Sequence, residues 1–489
     1  MNKEITTLSK QPLGLYLLAL GTFCERFSYY GAQTILVLYL SKIFLLPESA
    51  SYAMYGVYTT FAFALPVIGG IFADRFLGNK IAIIVGSIFL ILGNIFLSFQ
   101  QAPVFLIGLG ILVCGTGLYK SSITAFVGKL YTHENQHALR DNGYITFYIA
   151  MNIGASLGGV IYGISTNFSG FLSWRMGFMV SSLLIVVSLV SFLVFYQRLG
   201  LQQIAQKIQV VKSTRLIAYM LGLLGVLAVI FVFFHPELLK YLLIIFCLLL
   251  PWLIYNIAKY PRQDWWKILT VLSYLPFVIA FFIASFQIAS SVTVFISHHI
   301  YHTLWSWNIP PTFFSALYPI SVIVIAPMLG ILFHQLSIKY YYQFSAPGKI
   351  SAGLLMAGIA FICFMLADSN TYMGTSIYPL GWIIGGIFLL GLGEALIFPA
   401  LLSDVSKLVP SNLQNTLMGT SFLAVAFSGY LSSVADKLLN EGKVVGGKLS
   451  METYHHFFFM MTIFSIIAAT LLFLIKPLFL RFTKNSTTV

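Results

Sequence analysis

The feature that most limits this chain is a recurrence of unbroken apolar runs, each about 20 residues long, the length a helix needs to cross the hydrocarbon core of a bilayer. The runs fall near 14–41, 51–73, 80–98, 103–127, 143–165, 173–197, 216–234, 239–258, 267–297, 311–336, 349–367, 379–408, 415–435 and 455–480. Only 8% of the 489 residues are charged, against roughly a quarter in a soluble globule, so a water-soluble fold is excluded. An outer-membrane barrel is excluded too, because its strands would alternate apolar and polar residues over about 10 positions. The expectation is an all-α polytopic membrane protein of about fourteen spans.

An even span count puts both termini on one side. If that side is the cytoplasm, its loops collect Arg75, Lys80, Lys129, Arg140, Arg198, Lys207, Lys212, Arg215, Lys259, Arg262, Lys267, Lys339, Lys349 and Lys407, together with the basic residues of the two tails. The opposite loops keep Lys42, Arg175, Lys240, Lys437, Lys443 and Lys448, an asymmetry of about three to one for cytoplasmic termini. The net charge of +13 is then a matter of topology, spread over short loops with no patch for nucleic acid. Residues 1–11 are polar and lead into the first run without a small-residue cleavage site, so that span is expected to direct insertion itself. Cys24, Cys114, Cys247 and Cys363 all lie in apolar runs, which argues for packing and against a disulfide framework or a thiolate metal site.

Two basic residues remain, and both sit at membrane depth: Arg26 in the first run, beside Glu25, and Lys120 in the fourth. Ions there are costly unless they pair or line a polar cavity, so each is a functional-site hypothesis. Arg26 offers a planar fork and Lys120 a point charge, a pair suited to a ligand carboxylate. Glu394 and Asn152 are placed to take a ligand's ammonium group, and cations opposed to an anion suit a zwitterion. Tyr29, Tyr30 and Tyr148 offer apolar ring faces and hydroxyls for a pocket wall, or simple helix packing. Arg26, Lys120 and Glu394 also admit a reading as an ion network that holds the bundle shut.

The spans are not uniform. Runs 216–234 and 239–258 are Leu/Ile/Phe/Val helices with almost no intramembrane charge, whereas those before and after contain Gly, Ser, Asn and the buried ions. The reading is a six-helix bundle over 1–200, a linker with two additional spans over 201–264, and a second six-helix bundle over 265–489. A six-plus-six plan is a transporter architecture in which two halves rock about a midplane site. Between runs 2 and 3, Gly69-Gly70 allows close helix approach, and Asp74 with Arg75 can latch the cytoplasmic face by hydrogen bonds to helix ends and charged partners. This stretch, Gly69 to Lys80, resembles the corresponding loop of the major facilitator superfamily.

Within that superfamily the chain resembles the proton-dependent oligopeptide transporters. Glu25-Arg26-Phe27-Ser28-Tyr29-Tyr30-Gly31 looks like the second half of their ExxERFxYYG signature. Gly115 to Lys120 resembles GNGxFK, and Phe147 to Gly154, preceded by Arg140-Asp141, resembles FYxxINxG. Gly393-Glu394, Pro399, Ser403 and Lys407 to Pro410 resemble GExxxSPxGLSxxxKLAP. The inserted helix pair is similar to that of prokaryotic members. The resemblance implies the major facilitator fold, proton-coupled uptake of di- and tripeptides by alternating access, no cofactor and no enzymatic activity. It implies a substrate site from Arg26, Tyr29, Tyr30, Lys120, Tyr148, Asn152, Gln287 and Glu394, with Glu25 and Glu394 as the proton-coupling acids. Glu25 is expected to pair with Lys120. The implied setting is a bacterial cytoplasmic membrane, and the implied functional unit is a monomer.

Departures from the family pattern are specific. The first Glu of the signature is Thr22, the acid before Gln287 is Phe286, and an expected tyrosine in span 2 is Phe63. The Asn before the span 8 proline is Tyr318, and an expected Trp in span 11 is Ser421. Two acids are thereby lost, which leaves a site more cationic and more aromatic than the family norm. That leaves open a different anionic or zwitterionic solute, such as a peptide-like metabolite, a siderophore or a drug, with altered coupling. An enzyme or channel is the remaining class, but no paired acid/base motif, nucleotide loop or metal-ligand spacing supports it. His298, His299 and His302, followed by Trp305 and Trp307, read either as a metal or pH-sensing cluster or as an interfacial aromatic belt.

Overall fold

In hydrocarbon a backbone amide finds no water, so an apolar run satisfies its own hydrogen bonds by becoming a helix. The computed structural model describes residues 11–131, 137–170, 173–199, 201–204, 212–241, 262–300, 303–304, 307–340, 345–367, 377–408, 411–442, 444–445 and 448–484. Its long helices are α1 Leu13–Lys42, α2 Glu48–Phe72, α3 Asn79–Leu97, α4 Ala102–Lys129, α5 His137–Ser165, α6 Met176–Arg198 and α7 Lys212–Phe234. After these come α8 Arg262–Phe286, α9 Ser291–His299, α10 Leu317–Tyr340, α11 Ala346–Leu366, α12 Ile377–Leu408, α13 Ser411–Asn440 and α14 Met451–Lys484. Among the described residues, eleven helices are long and apolar enough to cross a membrane. The all-α polytopic expectation holds. Of the expected inserted pair, α7 is present with much of its surface exposed, while residues 242–261 of its partner lie outside the described residues.

Three elements differ from the sequence expectation, each for a local reason. The run 267–297 is not one helix: α8 stops at Phe286, a 3-10 turn covers Gln287–Ala289, and Ser290 leaves the helical region at φ −116°, ψ −102° before α9 begins. The Phe286 carbonyl at this break is bonded by the hydroxyls of Tyr55 (3.0 Å) and Ser290 (3.2 Å). Between α2 and α3 the chain makes a π-helical turn, Ala73–Leu77, ended by Gly78 at φ 76°, a value a residue with Cβ rarely adopts. Finally, α13 continues to Asn440, five residues past the expected end of its run.

Two compact units divide the described chain. One comprises residues 1–32 and 64–234, the other 33–63 and 235–489, so α1 and α2 each contribute to both. In the first unit α3 packs along α4 and against α6, and α7 lies on α4. In the second, α11 packs between α12 and α14, α10 lies on α12, and α8 contacts α13 and α14. Antiparallel two-residue strand pairs, β1 Thr303–Leu304 with β2 Trp307–Asn308 and β3 Val444–Val445 with β4 Lys448–Leu449, tighten two connections of the second unit.

Candidate functional site

The first unit gathers three of the intramembrane charges. Glu25 and Arg26 are almost completely buried on α1, at 1% and 2% exposure, which forces them to satisfy each other. The guanidinium donates to the Glu25 carboxylate from Nε at 2.5 Å and from Nη2 at 3.0 Å, a two-point bond within one turn of one helix. Its carbon lies 5.3 Å from the Tyr29 ring centre and 5.8 Å from that of Tyr30, within the range of cation–π attraction. The two rings meet edge to face at 4.9 Å. Lys120, half-buried on α4, is close enough to Glu25 and Arg26 to feel both charges. The expected Glu25 partner was Lys120, and the structure adds Arg26 as the residue that holds the carboxylate directly.

What fixes the rotation of α1 is its packing on α5 and α3. A Cβ at Gly154 would lie 2.3 Å from the carbonyl oxygen of Phe23, and one at Gly158 would lie 2.2 Å from that of Phe27, so only glycine lets α5 lie on α1 here. These two contacts straddle Glu25 and Arg26. On the α3 side, the buried Asn94 amide donates to Ser28 Oγ at 2.8 Å and to the Leu90 carbonyl at 2.8 Å. Tyr162 of α5 donates to Asn94 Oδ1 at 3.3 Å and meets Ser181 at 2.8 Å. Sequence reasoning passed over this Ser28–Asn94–Tyr162 network, although a lone Asn in an apolar run is its signal. On α5, Tyr148 is exposed and Asn152 bonds back to the Tyr148 carbonyl at 2.9 Å. The side chains of Arg140 and Asp141 are outside the described residues.

Glu394, on α12 of the second unit, accepts a hydrogen bond from the Tyr318 hydroxyl of α10. That hydroxyl in turn accepts from Ser285 of α8 at 2.6 Å, giving a chain from three helices. Close approach of α10 and α12 accompanies it: a Cβ at Gly391 would lie 2.8 Å from the Cβ of Ser321. Tyr318 stands where the family pattern has Asn, and that departure supplies the partner of the acid. Gln287 is fully buried at the α8–α9 break, donating to Ser432 Oγ at 3.0 Å and accepting from Ser291. Phe286 packs beside it against Phe63 and Phe282, with ring centres 5.9 and 6.0 Å away.

Asp74 and Arg75 project from the π-helical turn as exposed side chains. The Gly pair before them lies within α2, not in a loop, and Gly69 packs against α4 so closely that a Cβ would be 2.6 Å from the Gly117 oxygen. Of the histidines, His298 Nε2 is 3.7 Å from Glu48, and His299 Nε2 bonds the Leu449 carbonyl at 2.8 Å. His302 and Trp305 are outside the described residues.

A family model described as the POT family matches residues 80–456. The chain belongs to the POT family. It is therefore a multi-pass membrane transporter. Curated relatives include the dipeptide and tripeptide permeases A of Erwinia pyrifoliae, 24% identical over 482 residues covering 97% of this chain and 96% of the relative, and of Pectobacterium carotovorum subsp. carotovorum, 24% identical over 484 residues covering 98% and 94%. Among solved structures, a point mutant of a peptide transporter POT in complex with alafosfalin superposes with a TM-score of 0.83 at 23% identity, covering 96% of each chain. A POT family transporter in complex with 5-aminolevulinic acid gives 0.81 at 21% identity, covering 96% of this chain and 97% of the other. The major facilitator fold expected from the sequence is thus the fold observed.

Proposed function

We propose that the protein takes up di- and tripeptides by alternating access, coupled to protons, as a secondary active transporter rather than an enzyme. The observation that carries this reading is the charge set held at membrane depth: Arg26 with Glu25 and Lys120 in one unit, Glu394 in the other. Buried fixed cations suit the carboxylate end of a short peptide, and a buried acid suits its ammonium end. The curated relatives' names support the same substrate class. Arg26 and Lys120 take the carboxylate, Glu394 and Asn152 the ammonium, and Tyr29, Tyr30 and Tyr148 the peptide body. Gln287, whose amide is spent on neighbours, joins them only when the α8–α9 break rearranges.

Glu25 and Glu394 carry the coupling in this reading. A ligand carboxylate competes with Glu25 for Arg26, so binding and protonation become linked reciprocally. Asp74 and Arg75 serve the cytoplasmic gate. The unit of function is a monomer in a bacterial cytoplasmic membrane with both termini inside, and the domain plan is the 1–200 and 265–489 bundles joined by 201–264. Needing no cofactor, the cycle draws only on protons and peptide. Reconstituted protein, a panel of radiolabelled dipeptides and an imposed inward proton gradient test it: accumulation above equilibrium is expected, and its absence across the panel overturns the reading.

A second reading, another anionic or zwitterionic solute, is favoured by one observation. Phe286 stands in place of an acid and packs with Phe63 and Phe282, making that wall apolar. Competition of the solute with a dipeptide in the same assay separates the two.

A further inference from the structure

Asp436, near the end of α13, takes no part in the charge set at Arg26 or at Glu394, yet it is a fully buried acid at 0% exposure. Its Oδ1 accepts a long bond, 3.4 Å from Ser290 Oγ. Its Oδ2 is sealed from solvent and makes no hydrogen bond; the Ser291 hydroxyl, which bonds Gln287, also lies close to the carboxylate, and no cation pairs with it among the described residues. An ionised carboxylate offers about four acceptor positions and, left this bare, would cost several kcal/mol. The neutral acid fits instead: the carbonyl oxygen takes the Ser290 bond and the other oxygen carries the proton.

Titratable groups of α2, α9 and α14 lie around this acid. Glu48, in the first turn of α2, is 24% exposed and lies 3.7 Å from His298 of α9, itself 14% exposed. One turn further into α2, Tyr52 is completely buried, as is Tyr454 of α14. Both hydroxyls are sealed from solvent without a hydrogen bond, and both tyrosines lie within electrostatic reach of each other, of Glu48 and of Asp436. Exposure thus falls from 24% at Glu48 and 14% at His298 to 0% at Tyr52, Tyr454 and Asp436 alike.

The other titratable groups near α13 are placed elsewhere. His299 is turned to the Leu449 carbonyl, Lys437 is exposed, and His455 is half-buried on α14 one residue past Tyr454. From α8 and α12 come Tyr274, which bonds Asp404 at 3.3 Å, and Glu394, which is held by Tyr318. Tyr274 lies twelve residues before the helix break, about 18 Å along the helix.

We propose that Asp436 is a proton-binding site, reached from the α1–α2 end of the protein through Glu48, His298 and the hydroxyls of Tyr52 and Tyr454. Glu48 takes a proton from the medium or from protonated His298 and gives it to one tyrosine oxygen. That hydroxyl passes its own proton to the next, and the last proton arrives on Asp436 Oδ2. Each tyrosine accepts one proton and donates one, so a single proton leaves the medium and a single proton appears on the acid. Only the use of that proton in uptake rests on the proposed transporter function; the site itself does not.

Two measurements on the full-length protein test it. Dicyclohexylcarbodiimide couples to protonated carboxyls in apolar surroundings, so mass spectrometry of the wild type should find Asp436 modified at acid pH and progressively less so as the pH rises. An Asp436 left unmodified at every pH overturns the proposal without any variant having to fold. In proteoliposomes, Asp436→Asn should lose accumulation of dialanine under a proton gradient while exchanging dialanine across the membrane in counterflow. An Asp436→Asn protein that accumulates like wild type overturns the coupling role. If the wild type itself accumulates no dipeptide, the transporter reading fails instead, and the labelling still decides whether Asp436 holds a proton.

Discussion

Tyr318→Phe is the most direct probe of the second unit, because it removes one oxygen and leaves the ring that fills the space. Two bonds go with that oxygen: the one given to Glu394 and the 2.6 Å bond received from Ser285. A hydrogen bond to a charged group is worth about 1.5–3 kcal/mol and a neutral one about 1, so a simple sum is about 2.5–4 kcal/mol. In membrane bundles freed groups find other partners, and measured pair energies average about 0.6 and reach about 1.7 kcal/mol. The Tyr318–Glu394 coupling is therefore expected at about 1–2 kcal/mol, at the upper end because three helices meet at one hydroxyl. The assay is a double-mutant cycle of Tyr318→Phe and Glu394→Gln, read by denaturant unfolding in detergent, with Ser285→Ala as a smaller step on the same chain. A cycle additive to within about 0.5 kcal/mol would show that the tyrosine does not hold the acid, and the three-helix link through Tyr318 would carry no stability.

Arg26→Ala and Lys120→Ala should each weaken dipeptide binding by about 2–5 kcal/mol; calorimetric titration of a folded variant with wild-type affinity would remove that residue from the site. Glu25→Gln or Glu394→Gln should abolish gradient-driven accumulation while counterflow survives in at least one of them, and two variants that both still concentrate substrate would sink the coupling scheme. Gly158→Leu pushes a side chain at the Phe27 carbonyl, and overpacking of this kind costs about 1–3 kcal/mol, so thermal unfolding should come earlier and substrate affinity should drop. An unchanged melting temperature would contradict the α1–α5 contact. A cysteine in place of Lys484 should resist impermeant maleimide applied to intact cells, and labelling there would reverse the proposed topology.

The fold was legible because the bilayer asks a simple question of a sequence, and runs such as 103–127 and 173–197 answer it without tertiary information. Arg26, Lys120 and Glu394 were legible for the same reason in reverse, as charges where none is cheap. Tyr318 was not, since a tyrosine in an apolar run reads as packing, and its partner is 76 residues away. Asp436 escaped because the apolar run ends at 435, which makes an acid followed by Lys437 look like an interfacial charge; only the continued helix places it inside. The helix break after Phe286 carries neither Gly nor Pro at Gln287–Ala289. What accompanies it is tertiary: Gln287 bonds Ser432, a residue 145 positions later.

That break has a mechanical consequence. A carbonyl dropped from a helix ladder is ordinarily a soft spot, but the one at Phe286 is braced by Tyr55, which in turn receives the Gln33 amide at 3.2 Å. The short lever α9 is pinned a second time at its tip, where His298 faces Glu48. Two struts from α2, one at each end of the lever, tie α9 to the outer half of that helix, alongside its bonds to Ser315 and Leu449. Removing the inner strut, as Tyr55→Phe would, leaves the outer one at Glu48 as the remaining tie to α2 and every charge of the site in place.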